Sequence, residues 1–368
     1  MSLRATLLLA AALAIAAVTW LRPPVETTVR ERLFVFGSLA DIEVRHADAR
    51  AAKLAISSVA ALWSDYHRDW HPWQDGALVR LNADLAAGRT ARDVPPSLLE
   101  LIELGRRFED ESGGLLNPSI GALVAAWGFH GSDYPVRGMP PDSAELERLL
   151  QPAPSMRALH VEGNRVTGTR PLQLDFSAIA EGKALAAAAE ELRRYGIAHA
   201  LLAMGGDVLA MGQRGDRPWR VAIGDPRDGI LAEVELGDGE ALFSAGGYQR
   251  YREDGDTRLP HLIDPHSGRP AQGALASTVL HDDPVRADAA ATAMAIGGAD
   301  LFERLVVDMA VPCALLLDHD GRLHATPGMI ERLRIPKGSA PVYARGAHGP
   351  CRSKGELREN APNPKASP

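Results

Sequence analysis

The sequence predicts an α+β fold, with a mixed and largely antiparallel sheet flanked by helices and arranged in two lobes. Trp219–Gly224 and residues 231–236 are each predicted as a short strand, and their closeness in the chain favours antiparallel pairing. Alanine-rich stretches on either side, at residues 46–66 and 285–298, have the composition of helices. The chain has 368 residues, of which 46% are hydrophobic, so it can form one large domain or two lobes.

The N-terminal segment has the features of an export signal. Arg4 precedes an apolar run at residues 5–21, and Arg22-Pro23-Pro24 ends this run. The run is also close to the shortest length that spans a membrane. We therefore interpret residues 1–24 as a signal peptide or an N-terminal anchor, and we expect the rest of the protein outside the cytoplasmic membrane.

Beyond this segment, residues 30–345 are the predicted domain. Residues 346–368 are rich in Gly, Pro and charge, with little to bury, and are predicted to be a disordered tail. The formal net charge is −7, the isoelectric point is near 6.0, and no basic stripe is visible. This balance argues against nucleic acid as a partner.

The two cysteines lie in different settings. Cys313 belongs to the apolar run of residues 311–317, whereas Cys351 lies in the predicted tail. An oxidising compartment would allow the two to pair. We interpret them instead as a buried strand thiol and a separate tail thiol, neither of them catalytic.

The first third of the domain is predicted to contain one interrupted strand and several helices. Residues 32–45 alternate as a strand does, with a break at Phe36-Gly37-Ser38 where a glycine marks a bulge or a close backbone approach. Helices are predicted for residues 46–66 and 95–113, with another that begins at Asn117.

Residues 65–73 concentrate aromatic and histidine side chains beside a proline. Tyr66, Trp70 and Trp73 each need partial burial and a polar partner, which is unusual in a loop. Two interpretations stay open. The cluster is either a platform for a flat ring or a packing unit that holds the loop in place.

Two turns in the central part of the chain are suited to an anionic ligand. Residues 172–184 are predicted as a short strand that runs through Asp175 into a helix, and the start of a helix presents backbone N–H groups to phosphate. The next strand, at residues 197–202, is followed by Gly205-Gly206-Asp207, whose glycines allow a ligand to press against the main chain.

The predicted helix at residues 285–298 carries two oxygen-bearing side chains on one face. Asp288 and Thr292 are four residues apart, so the carboxylate and the hydroxyl lie one above the other. Two such oxygens on a rigid helix suit Mg²⁺. The alternative is that Asp288 caps the helix and Thr292 bonds back to its own helix. The two glycines at the end of the stretch are predicted to stop the helix.

Taken in order along residues 30 to 330, these features resemble the FAD:protein FMN transferase (ApbE) family. Each motif by itself is weak, but the collinear set is specific, above all the last two stretches. The matching stretches are residues 36–38, 114–129, 175–182, 205–207, 244–248, 261–268 and 287–292.

The resemblance implies an enzyme that binds FAD and Mg²⁺ between the two lobes. It would cleave the diphosphate and attach FMN to a Thr or Ser of an exported flavoprotein. That acceptor would lie on the periplasmic side, for example as a subunit of a membrane redox complex. It assigns metal ligation to Asp288, Thr292 and the main-chain carbonyl of Ala178. It assigns flavin binding to Phe36, Leu115, Leu116, Asn117, Asp175, Glu181 and His261.

Three points depart from the family pattern or remain open. Phe36 stands where the family usually has Met, and Asn117 stands where it usually has Asp. The ring-stacking aromatic residue of the family falls on Tyr66, Trp70 or Trp73, and the sequence does not choose among them.

His261 and Asp288 are the predicted catalytic residues. Asp288 would hold the cation, and His261 would orient a phosphate or assist proton transfer, because the pKa of histidine is ordinarily near neutral. Two alternatives use the same site. One is hydrolysis of FAD to FMN and AMP, and the other is a periplasmic flavin carrier without turnover.

Overall fold

A computed structural model of the chain describes residues 26–255, 257–336, 341–346 and 351. The predicted signal peptide or anchor, residues 1–24, lies outside the described residues, and so does the predicted tail apart from Gly346 and Cys351. None of the helices in the described part of the chain is long and apolar enough to cross a membrane.

Strands and helices alternate irregularly along the chain. The strands are β1 (Thr27–Val35), β2 (Ser38–His46), β3 (Leu159–Glu162), β4 (Arg165–Gly168), β5 (His199–Met204), β6 (Asp207–Met211), β7 (Trp219–Gly224), β8 (Ile230–Leu236), β9 (Ala241–Gly246), β10 (Tyr251–Asp254), β11 (Thr257–Pro260), β12 (Ala276–His281), β13 (Ala314–Leu317), β14 (Leu323–Ala325), β15 (Leu333–Arg334) and β16 (Val342–Ala344). The helices are α1 (Ala49–Trp70), α2 (Ala77–Ala86), α3 (Pro96–Glu111), α4 (Gly121–Ala126), α5 (Ser143–Leu150), α6 (Ser177–Arg194), α7 (Pro284–Asp308) and α8 (Pro327–Arg332).

The central sheet has the strand order β1-β2-β5-β6-β9-β12-β13-β14-β16, and its described pairs are antiparallel except β14 with β16. Helices α1, α6 and α7 pack on one face, where Ile42, Trp63 and Leu185 belong to the main core. The small sheet β15-β8-β7 packs on the other face through residues such as Trp219 and Leu315. The predicted α+β architecture is confirmed.

A third, smaller apolar cluster forms a separate lobe beside the sheet. It is built from α4, α5 and the loops that follow α4 and β11, and its buried members are Ile120, Leu123, Trp127, Phe129, Leu146 and Ile263. A crevice lies between this lobe and the end of the large sheet.

The strand predicted for residues 32–45 is a hairpin of two strands. Phe36 and Gly37 form its two-residue turn, with φ values of 53° and 71°. A two-residue turn with positive φ at both positions matches the twist of the flanking strands. The break at residues 36–38 was predicted correctly, but its nature was not.

Helix α1 is longer than predicted and ends at Trp70, so most of the supposed aromatic loop is helical. Trp63 donates a hydrogen bond from Nε1 to the carbonyl of Ala184 at 2.9 Å, and Trp70 donates one to Ser97 Oγ at 3.1 Å. Because both rings are buried against other elements, tertiary packing extends the helix past the end that composition suggested.

Helix α7 also differs from the prediction at its C-terminal end. Gly298 leaves the helical conformation, with φ 67° and ψ −165°, but helical residues resume and continue to Asp308. A side chain at Gly298 would collide with the main chain of Gly273. The glycine therefore produces a kink at a close backbone contact instead of ending the helix.

The two cysteines form a disulfide, and our interpretation of them as separate thiols was wrong. Cys313, the residue before β13, pairs with Cys351, and their Cα atoms are 5.6 Å apart. This separation is normal for a disulfide. The error arose because the apolar run around Cys313 does not indicate that Cys351, 38 residues later, lies beside it in the fold.

Candidate active site

A cavity of about 420 Å³ lies between the end of the large sheet, helices α6 and α7, and the small lobe. Its volume is in the range of sites that enclose a small molecule. Most of the residues that the sequence singled out line it, namely Trp73, Leu115, Leu116, Asn117, Asp175, Ala178, Glu181, His261, Asp288 and Thr292. The carboxylate and hydroxyl of α7 therefore share one cavity with the histidine and the glycine turn.

Glycines allow the elements around the cavity to approach closely. Gly205 and Gly206 have φ values of 61° and 113° in the turn between β5 and β6, and a Cβ atom at Gly205 would lie 3.0 Å from Glu181 Oε2. On α6, a Cβ atom at Gly182 would lie 2.9 Å from the Cβ atom of Asp288. The small residues of α6 and α7 thus bring acidic side chains from three elements together.

Asp288 lies inside helix α7 and does not cap it. The cap is Asp283, whose side chain accepts hydrogen bonds from the N–H groups of Val285 and Arg286 at 3.0 and 3.2 Å. Asp288 Oδ2 instead accepts the N–H of Gly182 at 2.8 Å. The capping alternative for Asp288 is therefore excluded, and its carboxylate points from α7 towards α6.

Three acidic side chains meet at this point. Burial raises the pKa of Asp288 well above its ordinary value, and the negative charge of Glu181 raises it further. Burial likewise raises the pKa of Asp207, and Glu181 and Asp288 add to this shift. Burial raises the pKa of Glu181 to about 7 despite the opposing charge of Arg250. These shifts favour the protonated carboxyl groups, because the side chains around them do not stabilise three negative charges in one place.

A cation bound here would stabilise the ionised carboxylates. The carboxylate of Asp288, the hydroxyl of Thr292 and the carbonyl of Ala178 are hard oxygen donors of the kind that Mg²⁺ accepts. Within the described part of the chain, no group of three or more His, Cys, Asp or Glu side chains is arranged to hold a metal. The predicted set contains one carboxylate, so it does not depend on such a group.

The acidic cluster leads to a prediction about pH. Relative to a Glu181→Gln variant, the metal-free protein should lose about 2 kcal/mol of unfolding free energy between pH 5 and pH 8. The pKa of Glu181 is about 7 in the folded chain, against an ordinary value of 4.5. The folded chain therefore keeps a proton that the unfolded chain releases, and this stabilisation is lost as the pH rises through 7.

Urea denaturation in the presence of a chelator, at several pH values, measures this difference. Burial lowers the pKa of His71 and of His261 to about 4. Each histidine therefore makes the unfolding free energy rise with pH, opposite to Glu181, and this stabilisation is lost as the pH falls below the ordinary pKa of histidine. Both histidines are present in both proteins and cancel in the comparison. Asp207 and Asp288, whose pKa values the charge of Glu181 raises, change the difference in the same direction as Glu181 itself. Parallel pH profiles for the two proteins would contradict the prediction.

The imidazole of His261 is held by the main-chain carbonyl of Arg250 and stays neutral. Its Nδ1 lies 3.1 Å from the carbonyl of Arg250, and because a carbonyl only accepts, Nδ1 carries the proton. Burial, together with the positive charge of Arg250, lowers its pKa to about 4. The expectation of a pKa near neutral was wrong, and the imidazole presents Nε2 as a hydrogen-bond acceptor.

Asp175 also lines the cavity, where it is a stable anion. Burial by itself would raise its pKa, but hydrogen bonds from His130, at 3.0 Å, and from Ser177 lower it overall. Asn82 fixes the preceding segment through two hydrogen bonds with the backbone of Leu174, at 2.8 and 2.9 Å. These contacts explain why a carboxylate is held at the start of α6.

Asn117 lines the cavity but uses its side chain structurally. Its Nδ2 donates to the carbonyl of Pro154 at 2.9 Å, and its Oδ1 accepts hydrogen bonds from the backbone and the hydroxyl of Ser119 at 3.0 and 2.5 Å. Both ends of the amide are therefore occupied by the protein. A contact between Asn117 and a ligand would have to compete with these bonds.

Of the aromatic candidates, the structure brings only Trp73 to the cavity lining. Tyr66 and Trp70, one helical turn apart on α1, stack on each other with ring centroids 3.9 Å apart. Phe36 packs beside Trp70, at 6.1 Å, and its N–H donates to His67. None of Phe36, Tyr66 and Trp70 lines the cavity. Their positions do not support the predicted ligand contacts.

Several lining residues carried no assigned role from the sequence. Asp207 accepts the N–H of Ser244 at 2.8 Å, and Arg250 donates to Ser38 Oγ at 3.2 Å. Tyr248 also faces the cavity. Four of these five residues fall within the quoted motif stretches, whereas Arg250 follows the stretch that ends at Tyr248 and no sequence signal pointed to it.

The chain resembles known proteins over most of its length. The model of the ApbE family matches residues 36–315. A FAD:protein FMN transferase of Rhodobacter capsulatus is 40% identical over 316 residues, which cover 85% of this chain and 60% of that relative. The match thus spans less than two thirds of the length of the R. capsulatus protein.

Solved structures show the same fold. The flavin transferase ApbE from Vibrio cholerae superposes with a TM-score of 0.72 at 25% identity, over 84% of this chain and 100% of that chain. The apo form of the Pseudomonas stutzeri flavinyl transferase ApbE superposes with a TM-score of 0.73 at 25% identity, over 83% of this chain and 97% of that chain. Together with the family match, these similarities show that the chain belongs to the ApbE family.

Proposed function

We propose that the protein transfers FMN from FAD to a Thr or Ser hydroxyl of an exported flavoprotein and releases AMP, with Mg²⁺ bound by Asp288, Thr292 and the carbonyl of Ala178. The observation that carries this proposal is the convergence of these groups with His261 and the Gly205–Asp207 turn on one cavity. Relatives that are FAD:protein FMN transferases support the same reaction.

The proposed reaction breaks the phosphoanhydride bond of the FAD diphosphate and forms a phosphoester bond to the acceptor. The acceptor hydroxyl oxygen forms a bond to the phosphorus of the FMN half, the diphosphate P–O bond breaks, and AMP leaves with the bridging oxygen. Bound Mg²⁺ would neutralise charge that develops on the transferred phosphoryl group. His261 accepts the hydroxyl proton at Nε2, which its neutral state leaves free for this purpose. The nucleophile belongs to the acceptor protein.

Trp73 provides the surface on which we place the flavin ring, and this leads to a prediction. Trp73→Ala should weaken FAD binding about 10- to 100-fold, because loss of an aromatic stacking partner typically removes about 1–3 kcal/mol. Tyr66→Ala should change the FAD Kd less than about twofold, since Tyr66 stacks on Trp70 instead of lining the cavity. Titration of FAD fluorescence measures both constants. The reverse order would reassign the stacking residue.

The disulfide supports the proposed location. A bond between Cys313 and Cys351 persists in an oxidising compartment, which agrees with export by the N-terminal segment. We infer that the domain works on the periplasmic side of the inner membrane, either free or anchored by residues 1–24, where an exported flavoprotein, such as a subunit of a membrane redox complex, would be its partner.

One incubation separates this function from its alternatives. The protein is mixed with FAD, MgCl₂ and an exported flavoprotein purified without its covalent flavin. In-gel flavin fluorescence of the acceptor after denaturation, abolished by a chelator, is the expected result. Free FMN and AMP with an unlabelled acceptor would indicate a hydrolase, and unchanged FAD would indicate a carrier.

A further inference from the structure

Large apolar side chains are exposed around the mouth of the cavity. Phe34 and Leu39 are 75% and 55% exposed, Ile230 is 54% exposed, and Tyr248 and Trp73 are 40% and 37% exposed. Tyr248 and Trp73 line the cavity themselves, and Ile230 pairs with Gly224, which also lines it. Exposed apolar side chains that gather in one place generally mark an interaction site.

Phe34 and Leu39 belong to this region through the β1–β2 hairpin. The two residues are direct cross-strand partners at the hairpin tip. Leu39 follows Ser38, which lines the cavity, and its carbonyl accepts the N–H of Gly205 at 3.1 Å. Neither Phe34 nor Leu39 lines the cavity itself. Their exposed side chains therefore lie at the end of the hairpin that borders the cavity, outside the cavity lining.

The outward face of the hairpin changes character along its length. Away from the tip, cross-strand ion pairs join Arg32 to Asp41 at 2.6 Å and Arg30 to Glu43 at 2.9 Å. The apolar pair replaces these ion pairs only at the end next to the cavity. The small sheet packs on strands β5, β6, β9, β12, β13 and β14. No residue of the hairpin belongs to that apolar interface, so the small sheet does not bury Phe34 or Leu39.

We propose that Phe34 and Leu39 form a docking surface for the acceptor flavoprotein, on which an apolar surface beside the acceptor Thr or Ser is seated. This inference rests on the proposed function. If the acceptor hydroxyl belongs to a second protein and enters the cavity, the surface of that protein has to contact the residues around the cavity mouth. A lipid surface fits less well, since alternating ion pairs continue the same face and the chain carries a net charge of −7.

The test uses the double variant Phe34→Thr/Leu39→Thr, which places a β-branched residue with high strand propensity at each position. Its matched control is Leu54→Gln/Val307→Gln, which removes exposed apolar side chains of α1 and α7 at 56% and 71% exposure. The probe is an exported flavoprotein without its covalent flavin. The unchanged protein is used to measure turnover, and a form whose acceptor Thr is replaced by Val is used to measure binding. Calorimetry with the Val form measures docking separately from transfer.

The hairpin variant should bind the Val form about tenfold more weakly and should show a KM for the acceptor raised by a similar factor. Its FAD Kd and its kcat at saturating acceptor should match those of the wild type and the control. Acceptor affinity within twofold of wild type would overturn the docking surface, as would hairpin-dependent binding to phosphatidylglycerol vesicles with unchanged acceptor binding. Hairpin-dependent binding without any flavin transfer would support docking and refute the proposed function.

Discussion

Replacing Asp288 with alanine is expected to lower Mg²⁺-dependent turnover at least about 100-fold. Asp288 supplies the only charged donor of the proposed set, and its raised pKa shows that nearby protein groups do not compensate this buried carboxylate. Initial rates of FMN transfer as a function of MgCl₂ concentration measure the effect. Added Mg²⁺ should also raise the melting temperature of the wild type and leave that of the variant unchanged.

Asp288→Asn is the matched control for this experiment. The amide oxygen can still accept the N–H of Gly182, so the contact between α6 and α7 is retained while the negative charge is lost. We expect the asparagine variant to fold like the wild type and to lose turnover like the alanine variant. Near-normal turnover in the asparagine variant at the same Mg²⁺ concentration would show that the charge of Asp288 is not required.

The second large effect is expected for His261. His261→Ala should lower kcat about 10²- to 10⁴-fold, the usual contribution of a positioned general base. The FAD Kd should change little, because the neutral imidazole offers no charge to the diphosphate. Single-turnover transfer under saturating FAD, together with a fluorescence titration, separates the two quantities.

The pH dependence of this loss identifies the role of the imidazole. Because the pKa of His261 is about 4, it is neutral throughout the range from pH 6 to pH 8. The ratio of wild-type to variant kcat should therefore be the same at both ends of that range. A ratio that rises strongly towards pH 6 would instead indicate that a protonated imidazole orients a phosphate.

A His261→Asn variant tests whether His261 acts only by holding its loop against the carbonyl of Arg250. An asparagine amide can donate to the carbonyl of Arg250 as Nδ1 does, so the loop is held while the accepting nitrogen is removed. Recovery of most of the lost activity in this variant would assign His261 a positioning role in place of proton transfer.

The sequence by itself determined the fold class and most of the candidate site. This was possible where the relevant residues are close together in the sequence. Asp288 and Thr292 share one helical face because they are four residues apart. Gly205 and Gly206, before Asp207, indicate a turn because glycine adopts positive φ values readily. The order of such motifs along the chain identified the family resemblance, which assigned roles to His261 and Ala178 that no local pattern would have given.

Only the tertiary structure decided which aromatic ring faces the cavity and which charges compete there. Trp73 and Tyr66 are seven residues apart with similar chemistry, and the burial of α1 separates them by packing Tyr66 on Trp70. The pKa of His261 and the pairing of Cys313 with Cys351 likewise depend on groups that are distant in sequence. Burial and long-range contacts set these properties, and local sequence patterns carry no record of them.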